Sequence, residues 1–250
     1  MRIVFLGTAA AVSTPSRDNT SLLVNDFLID CSGNLFGKMK KVGYDPLKLQ
    51  GIIITHGHVD HIYGLPSLIE MLRLSGRRDP LKIYVGRHFY ELTEVYLEMH
   101  GLLYQEKGFE IELRAVNYEK QLLINDSKIS IETFPVKHSV PNIGLKIRSN
   151  GVTVIYTSDT ELCEDMIDLF NDVDLLIHES TCSYLYSKKT EGHTCAEDAA
   201  RFAQLSNAKV LCLVHIGPEI DGNETKLINE LKQYFLGKIL IPNDLDRIVL

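Results

Sequence analysis

Thr55-His56-Gly57-His58-Val59-Asp60-His61 is the stretch on which the reading of this chain turns. Four potential metal ligands (His56, His58, Asp60 and His61) directly follow the β-branched run Gly51-Ile52-Ile53-Ile54. In an extended chain alternate residues share a side, so His56 and His58 can reach one ion. Asp60 and His61 fall where the loop turns into a helix and can face a second ion. Gly57 is expected to let the backbone bend tightly between ligands. Imidazole and carboxylate donors suit Zn²⁺, with Mn²⁺ and Fe²⁺ as other occupants. A polar turn with Asp60 as a helix cap is the plainer alternative. Three histidines and an aspartate buried unpaired beside an apolar strand would, however, be costly.

One loop cannot complete two coordination shells. His138 follows Ile129–Lys137, Asp159 follows Val152–Ser158, and His215 closes Lys209–Val214, each a polar residue after an apolar run. The expected assignment is His56, His58 and His138 on the first ion and Asp60, His61 and His215 on the second, with Asp159 bridging. Each later residue has a bland alternative: a surface loop for His138, a helix N-cap for Asp159, a core histidine for His215. Two ions about 3.5–4 Å apart acidify a bridging water and draw charge from a phosphoryl or carbonyl oxygen. Asp60 can also take that water's proton. A leaving alkoxide needs an acid, for which His193 in Glu191-Gly192-His193-Thr194 and Glu179 in His178-Glu179-Ser180-Thr181 are candidates. Glu179 can orient His193 and keep its ring charged, whereas N-capping is the alternative for His193. His178, His88 and His100 are assigned no chemistry.

Outward from the loop, strands are expected at 2–7, at Ser21-Leu22-Leu23-Val24 and Phe27–Asp30 around an Asn25-Asp26 turn, and at 51–55. Helices are expected after Ser32 to near Gly43, from Leu65 with Pro66 in the first turn, and over His88–His100. Five strand-like runs from Phe109 to Asp159 follow, with turns at Asn125-Asp126 and Asn150-Gly151. Helices at 161–170, 194–206 and 223–235 then alternate with strands, ending in one last strand. Two mixed sheets packed together with helices on their outer faces fit this order, in a single domain of residues 1–250. The 250 residues are 45% apolar and 24% charged, with a formal charge of −7, which argues against nucleic-acid binding by bulk charge alone. No apolar run reaches the roughly 18 residues of a spanning helix, so no membrane partner is expected. Met1–Val12 reads as a strand and turn and not as a signal peptide. Five cysteines without a CxxC spacing make a disulfide framework or zinc ribbon unexpected and point to a reducing cytoplasm.

These residues resemble the metallo-β-lactamase superfamily over nearly the whole chain, with its HxHxDH signature at His56–His61. The resemblance implies a four-layer αββα sandwich of two mixed β-sheets with the metals at one edge. It also implies that Asp30 is a structural acid behind the metal loop. Within the superfamily the chain is most similar to the ribonuclease Z branch, endonucleases that trim transfer-RNA 3′ ends. Gly7-Thr8, Arg17 and Asn19 match its opening, His178–Thr181 its HEAT loop, and Gly192-His193-Thr194 its second histidine motif. His193 would then be the proton donor and His215 the last ligand.

The sequence departs from that branch in two places. His138 and Asp159 are 21 positions apart, which leaves room for a hairpin but not for the protruding arm that grips transfer RNA. Ile216-Gly217-Pro218-Glu219 replaces the Ser-x-Arg-Tyr that often follows the last histidine. The expected function is therefore a dinuclear metal-dependent phosphodiester hydrolase, ribonuclease Z-like, acting on RNA 3′ ends. A phosphodiesterase for a small substrate such as a cyclic nucleotide is the first alternative, a lactone or thioester hydrolase the second, and a metal-stabilised binding module the third. Arg73, Arg77, Arg78, Lys82 and Arg87 could attract phosphates, although a solvated loop and helix end is the favoured reading. A homodimer through Leu65–Leu72 and Glu91–Tyr104 is expected, with ordinary core-facing helices as the alternative.

Overall fold

Side chains on alternate sides of a strand serve two different cores, and this alternation builds the layers. In strand β1 (Arg2–Gly7), Ile3 and Phe5 enter one cluster while Val4 and Leu6 enter another. In β4 (Gly51–Ile54), Ile53 faces the first cluster and Ile52 and Ile54 the second. The first cluster lies between two sheets; the other two lie under helices on the outer faces. The computed structural model describes residues 1–103, 108–162, 167, 170–171 and 173–250.

The first sheet adds β2 (Ser21–Val24), β3 (Phe27–Ile29), β5 (Leu81–Gly86), β6 (Ile111–Val116) and the distant β14 (Arg247–Val249), in the order β14-β1-β2-β3-β4-β5-β6. The second contains β7 (Gln121–Asn125), β8 (Ser130–Val136), β9 (Asn142–Ser149), β10 (Val152–Tyr156), β11 (Leu175–Ser180), β12 (Val210–Ile216) and β13 (Lys238–Leu240), in the order β13-β12-β11-β10-β9-β8-β7. Among the described residues each sheet joins an antiparallel half to a parallel half, so both are mixed. Helices α1 (Leu35–Lys41), α2 (Val59–Ile62), α3 (Leu65–Leu74) and α4 (Tyr90–Glu98) belong to the first sheet's side. Helices α5 (Ala196–Leu205) and α6 (Glu224–Leu231) cover the second. The result is the expected αββα sandwich. Among the described residues no helix is long and apolar enough to cross a membrane.

Several expectations need correction. The chain closes with two short strands instead of one. β13 extends the second sheet in parallel with β12, and β14 returns to pair antiparallel with β1. The last helix stops at Leu231, short of residue 235. The helix expected over 161–170 falls largely outside the described residues, as do Cys163 and Tyr104. A disulfide joins Cys182 to Cys195. The two residues pair as a short parallel bridge, and the Ala196 amide donates to the Cys182 carbonyl at 2.8 Å. This closure follows β11 and precedes α5, so it depends on tertiary packing that cysteine spacing does not encode. Cys31 and Cys212 are buried thiols.

Candidate metal centre

Parallel strands present their carboxyl ends at one sheet edge, where polar groups can gather around a ligand. Asp30 follows β3, Thr55–His61 follows β4, Asp159 follows β10, Glu179 and Thr181 lie at the end of β11, and His215 closes β12. His138 follows β8, which runs in the same direction as β10. Three of these strand ends turn sharply through left-handed residues, Asp30 (φ 57°), Ser158 (φ 55°) and His215 (φ 52°). Such backbone is uncommon for residues other than glycine and collects where side chains must be re-aimed. Gly57 is not among the left-handed residues. It is needed because a Cβ there would drive into the Phe89 ring, so the demand is for space and not for a bend.

The structure brings all seven candidate ligands together. Ligand atoms of His56, His58, His138 and Asp159 lie within 4.8 Å of one another, as do those of Asp60, His61 and His215. His58 Nδ1 is 3.0 Å from His56 Nε2 and 3.1 Å from His138 Nε2. Asp159 Oδ2 reaches both groups, at 3.8 and 3.9 Å from His56 and His138 Nε2 and 3.3 and 3.2 Å from His61 and His215 Nε2. Asp60 Oδ2 is 3.4 Å from His61 Nε2 and 3.5 Å from His215 Nε2. His61 Nε2, His215 Nε2 and Asp159 Oδ1 are buried without a hydrogen-bond partner. Orphaned polar atoms of this kind are costly, and a cation would satisfy them.

The outward-facing nitrogens are held. His61 Nδ1 donates to Asp30 at 2.9 Å, His138 Nδ1 to the Gly192 carbonyl at 2.7 Å, and His215 Nδ1 to Thr181 Oγ1 at 2.8 Å. His56 Nδ1 meets Thr55 Oγ1 at 3.1 Å. Each partner fixes the tautomer that leaves Nε2 free for an ion. Buried Asp30 also accepts from the Thr55 amide and hydroxyl and from Tyr156. Electrostatics agree with a cation site. Burial, then the neighbouring histidines, push His56 well below the ordinary imidazole value, and burial lowers His58, so both rings offer lone pairs. Burial pushes Asp60 and Asp159 up, but His215 and His61 outweigh it and hold both carboxylates below their usual range.

The bland alternatives for the later residues do not describe this geometry. The His138 side chain is 1% exposed. Among the described residues no amide donates to the Asp159 side chain: the Thr160 amide donates to Glu179 and the Glu161 amide to the Lys137 carbonyl. Cys195, not His193, is the residue preceding α5. His193 Nδ1 donates to Glu179 Oε1 at 2.9 Å, beside the ring of His215. Burial lowers the His193 pKa, but the Glu179 carboxylate outweighs it and raises it. His178 is buried behind this pair, with Nδ1 donating to the Glu179 carbonyl. Of the site's other participants, Thr55, Thr181 and Gly192 stand within the motifs quoted above, and Tyr156 within a strand-like run, but none of them has a role assigned there.

Two basic features have structural partners. The Arg17 guanidinium is wholly buried between Asp221, Glu224, Thr8 and the Pro242 carbonyl. Arg77 is buried against the carbonyls of Leu47, Leu49, Asp79 and Pro80, Arg73 pairs with Glu70, and Arg87 donates to Asn117. Of the basic cluster after the metal-loop helix, Arg77 is thus a packing residue, while Arg78, Lys82 and Arg87 are exposed.

A family model described as the beta-lactamase superfamily domain matches residues 25–216. Ribonuclease Z of Prochlorococcus marinus (strain NATL1A) is 27% identical, with 99% of this chain and 100% of that protein covered. That alignment runs over 318 positions, so the relative carries residues with no counterpart in these 250. Human tRNase Z, short form, superposes with a TM-score of 0.81 at 23% identity, covering 100% of this chain and 99% of that one. The metallo-beta-lactamase fold protein YhfI from Bacillus subtilis gives the same TM-score and identity over 99% and 98%. At these identities the superpositions speak for the fold alone.

Proposed function

The chain belongs to the beta-lactamase superfamily, and from that premise we infer that it is a dinuclear metal-dependent phosphodiester hydrolase, ribonuclease Z-like, acting on RNA 3′ ends. The observation that carries the reading is Asp159 Oδ2, which lies 3.2–3.9 Å from a ring nitrogen of four different histidines. A carboxylate so placed suits a bridge between two ions. His56, His58 and His138 would hold one ion and Asp60, His61 and His215 the other. The histidine-rich donor set favours Zn²⁺, with Mn²⁺ or Fe²⁺ as substitutes. Bound there, two such cations supply an acidified water and compensate the charge of the phosphoryl oxygens.

The chain's own groups supply the proton transfers. Asp60, with Oδ2 facing His61 and His215, is placed to accept the proton of the attacking water as its oxygen bonds to phosphorus. The bond from phosphorus to the leaving oxygen breaks, and that oxygen takes a proton from His193. Glu179 aims the His193 ring and keeps it charged until transfer. Residues 1–250 act as one domain in this reading, since the ligands come from both sheets.

A smaller phosphodiester is the second reading. The β9–β10 hairpin occupies most of the stretch from His138 to Asp159, which favours a substrate that needs no protruding arm. Exposed Leu74, Leu92, Val95 and Met99 on and just after α3 and α4 support a homodimer through these helices, tested by mass in solution. A cytoplasmic setting belongs to the same reading, with the Cys182–Cys195 bridge then open to reduction. The deciding experiment gives the Zn²⁺-loaded protein a precursor transfer RNA with a 3′ trailer and, separately, a cyclic nucleotide. Trailer removal supports the nuclease, and cyclic nucleotide turnover alone supports the second reading. Full activity after chelation, or in Asp60→Ala, refutes both.

A further inference from the structure

One hydroxyl stands at the junction of the candidate metal ligands and the candidate acid. Thr181 Oγ1 lies 2.8 Å from His215 Nδ1, 2.8 Å from Glu179 Oε2 and 3.1 Å from His193 Nδ1. A hydroxyl has one proton to give and two lone pairs with which to accept, so these contacts fix its orientation. His215 directs Nε2 at Asp60 and Asp159, which leaves the proton on Nδ1. That proton is donated to Thr181 Oγ1. Thr181 then donates to Glu179 Oε2, and His193 donates to the other oxygen, Oε1, at 2.9 Å. The remaining capacity of Glu179 is filled by the amides of Thr160 and Thr181.

The surroundings hold Thr181 in that place. Its carbonyl lies where a Cβ on Gly217 would have to go, so the β12 end packs against it only because residue 217 is glycine. Its chain neighbour Cys182 is tied to Cys195, two residues beyond His193. The same two loops thus carry the hydroxyl, the carboxylate and the acid.

We propose that Thr181 is a positioning residue that couples the two halves of the centre: through one hydroxyl it orients His215 for a metal ion and holds Glu179 for His193. The assignment rests on the reading of the site given above. It requires that loss of the hydroxyl be felt both in metal binding and in proton delivery. An orphaned Nδ1–H on His215 weakens the ligand, and removal of an outer hydrogen-bond partner of a ligating histidine typically lowers metal affinity roughly 10–100-fold. Glu179 meanwhile loses its hold on one oxygen, and the His193 ring loses its aim.

The test uses full-length Thr181→Val and Thr181→Ser. Zn²⁺ affinity is measured by competition with a coloured chelator, and kcat and KM on two phosphodiesters, one with nitrophenolate and one with alkoxide as leaving group. Valine keeps the volume and removes the hydroxyl; serine keeps the hydroxyl. The expected result for valine is an affinity loss of roughly 10-fold or more, together with a fall in kcat, at unchanged KM, that is larger for the alkoxide substrate. Serine restores both. Should valine fail to fold, Thr181→Ala removes the same contacts and is read in the same way. Wild-type behaviour of the valine or alanine variant overturns the coupling, as does loss at one end alone or failure of serine to rescue. A wild-type protein that binds no Zn²⁺ overturns instead the reading of the centre, so the two failures are told apart.

Discussion

Replacing Arg17 with leucine separates a structural from a substrate-binding role for a residue that the family resemblance placed at the chain's opening. The guanidinium is 0% exposed and donates to Asp221 at 2.9 Å, Glu224 at 2.7 Å, Thr8 Oγ1 at 2.7 Å, the Pro242 carbonyl at 2.6 Å and Asn243 Oδ1 at 3.2 Å. It therefore pins the loop after β1 to the segment on either side of α6. Breaking a fully buried ion pair costs about 3–5 kcal/mol, because the partner charge is stranded. Here the carboxylate side chains of Asp221 and Glu224 are 16% and 24% exposed and can partly rehydrate, which moves the ionic share toward the ~1 kcal/mol of a surface pair. The three neutral acceptors each lose a bond worth about 1 kcal/mol. A loss of about 4 kcal/mol follows. With a urea m-value near 3 kcal/mol/M, the unfolding midpoint drops by about 1 M. The assay is urea unfolding of the variant and the parent at neutral pH, followed by kcat and KM on a phosphodiester. A midpoint within about 0.2 M of the parent, with a raised KM for RNA, refutes the reasoning and gives Arg17 a substrate-binding role instead.

Glu179→Gln removes the charge that raises the His193 pKa; kcat on a substrate with a poor leaving group should fall roughly 100-fold and on a nitrophenyl ester far less, read by steady-state kinetics. With protonated His193 as the proposed acid, that activity should be present below its raised folded pKa and be lost as pH rises through it. The alkaline limb of the pH–rate profile should therefore move to lower pH in Glu179→Gln, and an unmoved limb excludes His193 as the acid. Chelation leaves His61 Nε2, His215 Nε2 and Asp159 Oδ1 unsatisfied and should lower the melting temperature, whereas Zn²⁺ at about 1,000 times its Kd restores about 4 kcal/mol, measured calorimetrically. Cys195→Ser frees a closed loop of 13 positions and should cost about 3 kcal/mol in chemical unfolding, a loss that added dithiol reproduces in the parent but not in the variant. Asp221 has its carboxyl pushed up by burial and, more strongly, held down by Ser16, Thr14 and Arg17. Its share of stability is complete above the unfolded value of about 4 and disappears as pH falls through the lower folded value, which acid titration of the unfolding midpoint tests.

The sequence announces what is local and periodic. Alternation in Arg2–Gly7 and in Val152–Tyr156 assigns each side chain to a layer, and the crowding of ligands at His56–His61 has no cheap apolar explanation. His138, Asp159 and His215 were legible only jointly, since each on its own suited a loop, a cap or a core. What stayed hidden depends on chain segments meeting at long range. The acceptor for His138 is a backbone carbonyl at Gly192, which no side-chain pattern can signal. The space constraint at Gly57 is imposed by Phe89, 32 residues later. Arg17 finds its carboxylate partners more than 200 positions downstream, and the Cys182–Cys195 bridge is set by how β11 and α5 pack.

The division of the ligands between two sheets also sets a timetable for synthesis. The 56–61 loop leaves the ribosome roughly 160 residues before His215, an interval of roughly 8–30 s at ordinary elongation rates. During that time the nascent chain exposes a cluster of imidazoles able to capture a stray cation, yet it lacks the groups that make hydrolysis possible. Topology alone thus withholds the second half of the cluster from the unfinished polypeptide, and a free divalent cation can meet the half-made site before the remaining side chains arrive.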